Sequence, residues 1–447
     1  MKIKAYIIFF ILGIFFFQGC SKEPSIRNKK EYNIILITVD TLRADHLHCY
    51  GYKYETSPNI DALAKKSIFF DYAYCPIPKT SASFASMMTG LHPFIHKTKP
   101  NQGHLKKEYL TLAEALKLKG YYNVAIVDNA NLSKKFYFNQ GFDDYVQVWD
   151  KIKKKEESTP FITKSVISFL EKKRKKPLFL WANYIETHTP YIPKREFIES
   201  RPKGRDINEV EHKIIAGMIQ SIKQSSDEGY YISLYDGAIK YVDYEIGKII
   251  DVIFKKELDK NSIIIITADH GEDLGEYNFY FDHGPLTFNA ASRVPLIVSI
   301  PGLNKRRMKY PVSIMDIYPT IFNIVNLKTP YEIQGVDLFK GNRNRYLYIF
   351  GLLRTYAVVH NKYHYVKVLP KLKMKLDLKE DYLFNIFDDP YETNNIFPKK
   401  TNMSRIMNKK YLDYFERHGY LSKNKNVEEK DLSEKEIENL KTLGYIK

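Results

Sequence analysis

Apolar positions in this chain follow two patterns that alternate along most of its length. Asn33 to Val39, Pro177 to Ile185, Ser262 to Thr267 and Val294 to Ile300 are apolar almost without a break. Runs of that length with no period-two alternation predict strands buried on both faces. Between them the pattern turns helical. Ser57-Pro58 opens a helix that reaches Lys66, with proline in the first helical position. Thr111-Leu112-Ala113-Glu114 is a capping box for a helix that Gly120 ends, and a strand follows at Asn123 to Val127. Ser233 to Lys255 predicts a long amphipathic helix. Strands alternating with helices imply an α/β fold: a mostly parallel central sheet covered by helices on both faces.

The pattern changes near Phe339. Arg345 to Arg354, Tyr356 to His360, Tyr363 to Leu369 and Tyr382 to Phe387 predict short antiparallel strands, a smaller C-terminal α+β subdomain. The expected division is a signal segment over 1–20, a linker over 21–32, a catalytic domain over 33–338, the subdomain over 339–398 and a charged helical tail over 399–447.

Composition adds little to that picture, and the N-terminus adds more. The 447 residues carry a net charge of +17, but lysines are spread along the whole chain and no nucleic-acid motif accompanies them, so no nucleic-acid partner is expected. Lys2 and Lys4 precede an apolar run from Ala5 to Phe17, then Gly19-Cys20 and a polar stretch. The run is short for a membrane span and suits a signal peptide. Gly19-Cys20 resembles a bacterial lipobox, in which Cys20 is the lipidation site. A lipoprotein of the bacterial cell envelope is expected, anchored to a membrane and facing periplasm or exterior; a plain signal peptide or an uncleaved anchor is the alternative. Cys49 and Cys75 are either a disulfide or two unpaired thiols.

Candidate chemistry sits where the buried strands end, which is where ligands bind in open α/β sheets. Asp40 directly follows Val39; alone, such a residue is more often a turn or cap. Asp269-His270-Gly271-Glu272 follows the isoleucine-rich strand, and adjacent Asp and His can reach one metal. A mixed oxygen and nitrogen set favours one divalent ion, zinc or manganese rather than calcium. Thr80 opens a short helix from Ala82 to Met88 and reads equally as an N-cap or as a nucleophile at a helix N-terminus. His188 and His283 each lie in loops, as assisting groups at a leaving or nonbridging oxygen or as loop residues without a role.

Taken together these segments resemble the sulfatase family of the alkaline phosphatase superfamily. Asn33 to Asp45 is similar to the family's first metal-binding strand, Pro58-Asn59-Ile60-Asp61-Ala62-Leu63-Ala64 to the next helix, and Met88-Thr89-Gly90-Leu91-His92-Pro93 to the end of its nucleophile segment. Glu186 to Tyr191, Asp269 to Glu272, Arg293 to Ile297 and Phe384 to Asn395 continue the match in order. The resemblance implies an alkaline-phosphatase-like fold, a metal held by Asp40, Thr80, Asp269 and His270, and catalysis by Thr80 with His188 and His283. It also shows departures. Counted back from Thr89-Gly90, the family's formylglycine position holds Thr80 and its arginine position holds Phe84. Cys75, upstream and with misplaced proline, is no substitute. Asp128-Asn129-Ala130-Asn131 stands where the family's Lys-x-His element is expected, which leaves Lys79, Arg43 and Asn129 as candidates for substrate binding. Threonine has one hydroxyl, so the elimination that frees sulfate from formylglycine hydrate is closed to it. A phosphate- or sulfate-ester substrate is implied, an envelope lipid or glycan among the candidates, with phosphoryl chemistry preferred on mechanism. The alternatives are a sulfatase working without formylglycine and a catalytically inactive glycan-binding lipoprotein.

Overall fold

The continuous apolar runs become the middle of one sheet. In the computed structural model, which describes residues 31–198, 228–340, 344–352 and 354–418, β1 spans Asn33–Val39, β2 Ile68–Phe70, β3 Tyr122–Val127, β4 Asp144–Gln147, β5 Leu178–Tyr184, β6 Ser262–Thr267, β7 Leu296–Ser299 and β8 Arg306–Met308. They form an eight-stranded sheet in the order β8-β2-β7-β6-β1-β5-β3-β4. β1 pairs in parallel with both β5 and β6, β5 with β3, and β3 with β4. β7 alone runs against its neighbours. The N-terminal segment with Cys20 and the end of the charged tail lie outside the described residues, within which no helix is long and apolar enough to cross a membrane.

Helices α1 (Pro58–Ala64), α4 (Ser158–Glu171) and α5 (Glu228–Lys255) pack together; α2 (Thr80–Thr89) packs instead with α3 (Leu112–Leu118) and the helix Ile317–Ile324. The capping box at Thr111 forms as its sequence requires, its hydroxyl accepting from the Glu114 backbone N–H. Two local expectations change. The run from Val294 to Ile300 is split, because Pro295 has no N–H to give a ladder: Arg293–Val294 joins a small sheet and Leu296–Ser299 becomes β7. Lys79, not Thr80, is the cap residue of α2, so Thr80 is its first helical residue.

Strands β9 (Leu347–Gly351), β10 (Thr355–His360), β11 (Tyr363–Val368) and β12 (Asp381–Asn385) make the expected antiparallel C-terminal sheet, covered by α6 (Thr401–His418). This subdomain shares a core with the chain around Thr80: Ile77 and Ala82 pack among Phe350, Val358, Leu383 and Met407. The Phe350 N–H also bonds the Pro76 carbonyl at 2.9 Å.

At the carboxyl end of β1 the backbone is strained. Thr41 has φ of 59°, a left-handed conformation that β-branched residues rarely adopt. It is pinned on every side. Its hydroxyl donates to Thr187 O at 2.6 Å, its N–H to Asp269 Oδ1 at 3.3 Å, and its carbonyl accepts from Tyr235 Oη at 2.8 Å. Tyr235 Oη also accepts from the Arg43 N–H at 2.9 Å. Tyr235→Phe leaves a buried N–H and C=O unpaired, and is expected to lower unfolding free energy by roughly 2 kcal/mol in denaturant titrations.

Candidate active site

Strand order alone gathers the polar residues. β6, β1, β5 and β3 are consecutive and parallel, so Asp269 and His270, then Asp40, then Thr187 and His188, then Asn129 all emerge at one edge. α2 enters the same place with its N-terminus, its Ser83 hydroxyl donating to Asp269 O at 2.6 Å. Gly271 is required where β6 hands over to this loop: a Cβ there would stand 2.0 Å from Ala290 O.

Asp40, Asp269 and His270 are fully buried and bring one ligand atom each within 4.8 Å of one another. His270 Nδ1 faces the Gly271 carbonyl at 2.9 Å and must donate to it, so Nε2 carries the lone pair. That Nε2 lies 3.3 Å from Asp269 Oδ2, 3.9 Å from Asp40 Oδ1 and 3.4 Å from Thr80 Oγ1. Asp40 Oδ1 and Asp269 Oδ2 have no hydrogen-bond donor among the described residues. Burial pushes Asp40 up to about 7, against the Asn129 bond and the Lys79 charge that pull it down. Burial and then the Asp40 charge raise Asp269 well above the carboxylate range. Two inward carboxylate oxygens without a donor and an imidazole lone pair beside them fit a divalent cation.

Lys79 reaches the cluster along a buried path. Gly284, with φ of +112°, makes room for it, since a Cβ there would lie 2.3 Å from Lys79 Cε. The Lys79 charge acts on Asp40, His188, His270 and His283 together. The three imidazoles are neighbours, with ring centroids 4.3 Å apart for His270 and His283 and 5.1 Å for His188 and His283. Burial first, then the Lys155 and Lys79 charges, pulls His188 down to about 3, and burial with Lys79 beside it pulls His283 well below its ordinary range. Both are therefore neutral until an anion arrives and reverses the balance.

Two residues expected to touch substrate are occupied within the protein. Arg43 forks onto Asp45 at 2.9 and 2.7 Å and reaches Glu276 Oε1 at 2.7 Å and Glu272 O at 3.1 Å, which commits its guanidinium to holding loops together. Asn129 donates from Nδ2 to Asp40 Oδ2 at 2.7 Å and accepts the Asn131 N–H at 2.9 Å, so it orients a ligand carboxylate. Phe84, at the expected arginine position, points into the core against Trp181, centroids 5.2 Å apart, and supplies no charge. Cys75 and Cys49 are free thiols. Burial raises Cys75 well above the ordinary thiol range, so it stays an unreactive S–H.

Glu272 was not singled out for a role by its sequence. It is fully buried, and its Oε1 meets His283 Nδ1 at 3.1 Å while Thr189 Oγ1 donates to Oε2 at 3.4 Å. Its place in Asp269-His270-Gly271-Glu272 was the available signal. Tyr235 had none beyond that of a core aromatic.

The sulfatase family model matches residues 32–327, which contain all of these groups. The chain belongs to the sulfatase family. It is thus an ester hydrolase of the alkaline phosphatase superfamily, and sulfatases of this fold bind a divalent metal. A sulfatase of Formosa agariphila is 25% identical over 411 residues, covering 78% of this chain and 80% of its own length. The phosphonate monoester hydrolase of Agrobacterium radiobacter superposes with a TM-score of 0.69 at 19% identity, over 87% of this chain and 96% of its own. A structure solved with its substrate D-glucosamine-2-N,6-O-disulfate gives 0.69 at 19% identity, over 87% and 98%.

The raised Asp40 gives a stability test of the cation site. A carboxyl whose folded pKa of about 7 exceeds its unfolded 3.8 binds more protons folded than unfolded across that window. Stability of chelator-treated protein is therefore lost as pH rises between them. Differential scanning fluorimetry is expected to show Tm falling over that range, with zinc or manganese restoring it most at the neutral end. Asp40→Asn is expected to flatten both responses.

Proposed function

We propose that this sulfatase-family protein is a metal-dependent hydrolase or transferase in which Thr80 Oγ1 is the nucleophile. The observation that carries this is the position of Thr80: first residue of the fully buried α2, with its hydroxyl 3.4 Å from His270 Nε2. A helix N-terminus favours developing negative charge on that oxygen and on the ester it meets. Asp40, Asp269 and His270, with Thr80 alongside, would hold the divalent ion, zinc or manganese, which lowers the hydroxyl pKa and polarises the ester.

The chain's own groups supply the rest. Thr80 loses its proton to solvent and its oxygen bonds the phosphorus or sulfur as the bond to the leaving oxygen breaks. Lys79 stabilises the nonbridging oxygens. Once an anionic ester raises their pKa values, His188 or His283 hands a proton to the leaving oxygen. Glu272 fixes the orientation of His283. Water, or an acceptor alcohol, then attacks the same centre and releases Thr80 to its starting state. Asn129 keeps Asp40 aimed inward throughout.

Threonine lacks the second hydroxyl that formylglycine hydrate uses for elimination, so the Thr80 ester must be opened by attack at its central atom. That favours phosphodiesters and phosphonate monoesters, the latter being the class named for the Agrobacterium radiobacter neighbour by fold. Sulfate esters are the second reading, favoured by the names of the sulfatase relatives and by the disulfated substrate of one structural neighbour. An envelope location through lipidation of Cys20 is part of the proposal and rests on the N-terminal sequence.

Intact-protein mass spectrometry after incubation with aryl phosphodiester, phosphonate and sulfate esters tests both nucleophile and transferred group. The expected result is a phosphoryl or phosphonyl adduct that maps to Thr80, with Thr80→Ala losing about a thousandfold or more in turnover, the scale on which removing a nucleophile acts. Turnover of sulfate esters alone would overturn the phosphoryl preference. Undiminished turnover by Thr80→Ala would remove Thr80 from the mechanism.

A further inference from the structure

The edge of the sheet opposite the catalytic pocket has a character of its own. α3, α4 and α5 each end just before β3, β5 and β6 begin, so their C-terminal turns share one face of the molecule. That face is basic. The α4 to β5 connection reads Lys172-Lys173-Arg174-Lys175-Lys176, and all four lysines are exposed. None of the four makes an ion pair among the described residues, whereas Lys117 on α3 is paired with Asp143 at 2.8 Å. Arg174 is turned inward, capping α4 through the Phe169 and Lys172 carbonyls and lying over the Tyr122 ring at 5.8 Å. It thereby fixes the connection against β3 and holds the lysines outward. Together with the half-buried Phe169 and Tyr122, these residues line one shallow pocket.

An apolar side chain projects from the same face. Leu118, between Lys117 and Lys119 at the end of α3, is 81% exposed. A leucine this bare, flanked by Lys117 and Lys119, suits an interface that offers both anionic headgroups and hydrocarbon. A soluble polyanion would bind the lysines but give the leucine nothing. The chain itself enters from this side: Tyr32 O accepts from Tyr121 Oη at 2.8 Å, and Asn33 Oδ1 accepts from the Leu178 N–H at 2.9 Å, beside the basic connection. The residues before Tyr32 include the apolar run Ala5 to Phe17 and Cys20, twelve positions away. A tether from Cys20 reaches at most about 40 Å, so a membrane holding it would lie within that distance of this face.

We propose that the N-terminal edge of the sheet is a docking face for an anionic bilayer, seated through Lys172, Lys173, Lys175 and Lys176 with Leu118 entering the headgroup layer. The catalytic pocket then faces away from the membrane that carries the protein. Its substrates would come from the surrounding compartment or an apposed surface, not from the lipid beneath it. Catalysis itself does not depend on this face, so the two proposals fail separately.

Vesicle sedimentation of the full chain tests it, using phosphatidylcholine vesicles with and without phosphatidylglycerol. The apolar N-terminal segment meets both vesicle types, so the difference between them reports charge, and the lysine variant assigns that difference to the patch. Wild type is expected to partition at least about tenfold more strongly onto the anionic vesicles, with the preference lost at high salt. The quadruple variant K172E/K173E/K175E/K176E is expected to lose it with ester turnover unchanged, which shows that the fold is intact. Leu118→Ser is expected to weaken anionic binding a few-fold and keep the salt dependence. Equal partition of wild type onto the two vesicle types would overturn the proposal, as would an undiminished preference in the quadruple variant. Charge-dependent capture by a soluble sulfated polymer without any vesicle preference would overturn it in favour of a polyanion site.

Discussion

Three buried acceptor atoms face one another: Asp40 Oδ1 and Asp269 Oδ2, which have no donor among the described residues, and His270 Nε2, which has the Thr80 hydroxyl beside it. Two carboxylates that close repel by a few kcal/mol even at an effective dielectric near 20. A fold keeps such an arrangement only if surrounding structure over-determines it, and here it does. Asn129 and Thr41 take up the other carboxylate oxygens, Ser83 ties α2 to the Asp269 backbone, and the Gly271 carbonyl fixes the tautomer of His270. The strain at Thr41 belongs to the same arrangement, since its left-handed turn is what lets its N–H reach Asp269.

From that constraint the rest of the site follows. A divalent ion held between those atoms would relieve the repulsion and stand beside the Thr80 hydroxyl. Burial, with the Lys79 charge on the same side adding to it, favours the neutral form of the three neighbouring imidazoles. Among the described residues the C-terminal sheet adds no ligand to the cluster of Asp40, Asp269 and His270. Its core continues into Ile77 and Ala82, on either side of Thr80, and so holds the helix start that carries Thr80.

Much of this was legible in the sequence for physical reasons that can be named. β1, β5 and β6 were readable because strands buried on both faces leave no polar positions, and Asp40 and Asp269-His270 were readable because they interrupt that rule at the strand ends. Thr80 was placed by its distance from Thr89-Gly90. The partners that Arg43 and Asn129 take in the fold, Glu276 and Asp40, are distant in sequence, and a charged or amide side chain does not announce which partner will claim it. Pro295 hid a strand break inside a continuous apolar run. Tyr235, which pins the strained turn after Asp40, lies in a helix where a core tyrosine is unremarkable. The basic face was invisible while the lysines were only counted. It takes the parallel sheet to bring the ends of α3 and α4 together.

The central claim is that these acceptors hold a divalent ion next to Thr80, and anomalous diffraction from manganese- or zinc-soaked crystals tests it most directly. The predicted result is one strong peak within about 2.0–2.2 Å of Asp40 Oδ1, Asp269 Oδ2 and His270 Nε2, in contact with Thr80 Oγ1. A peak bound elsewhere, or none at saturating metal with the three side chains unmoved, would contradict it.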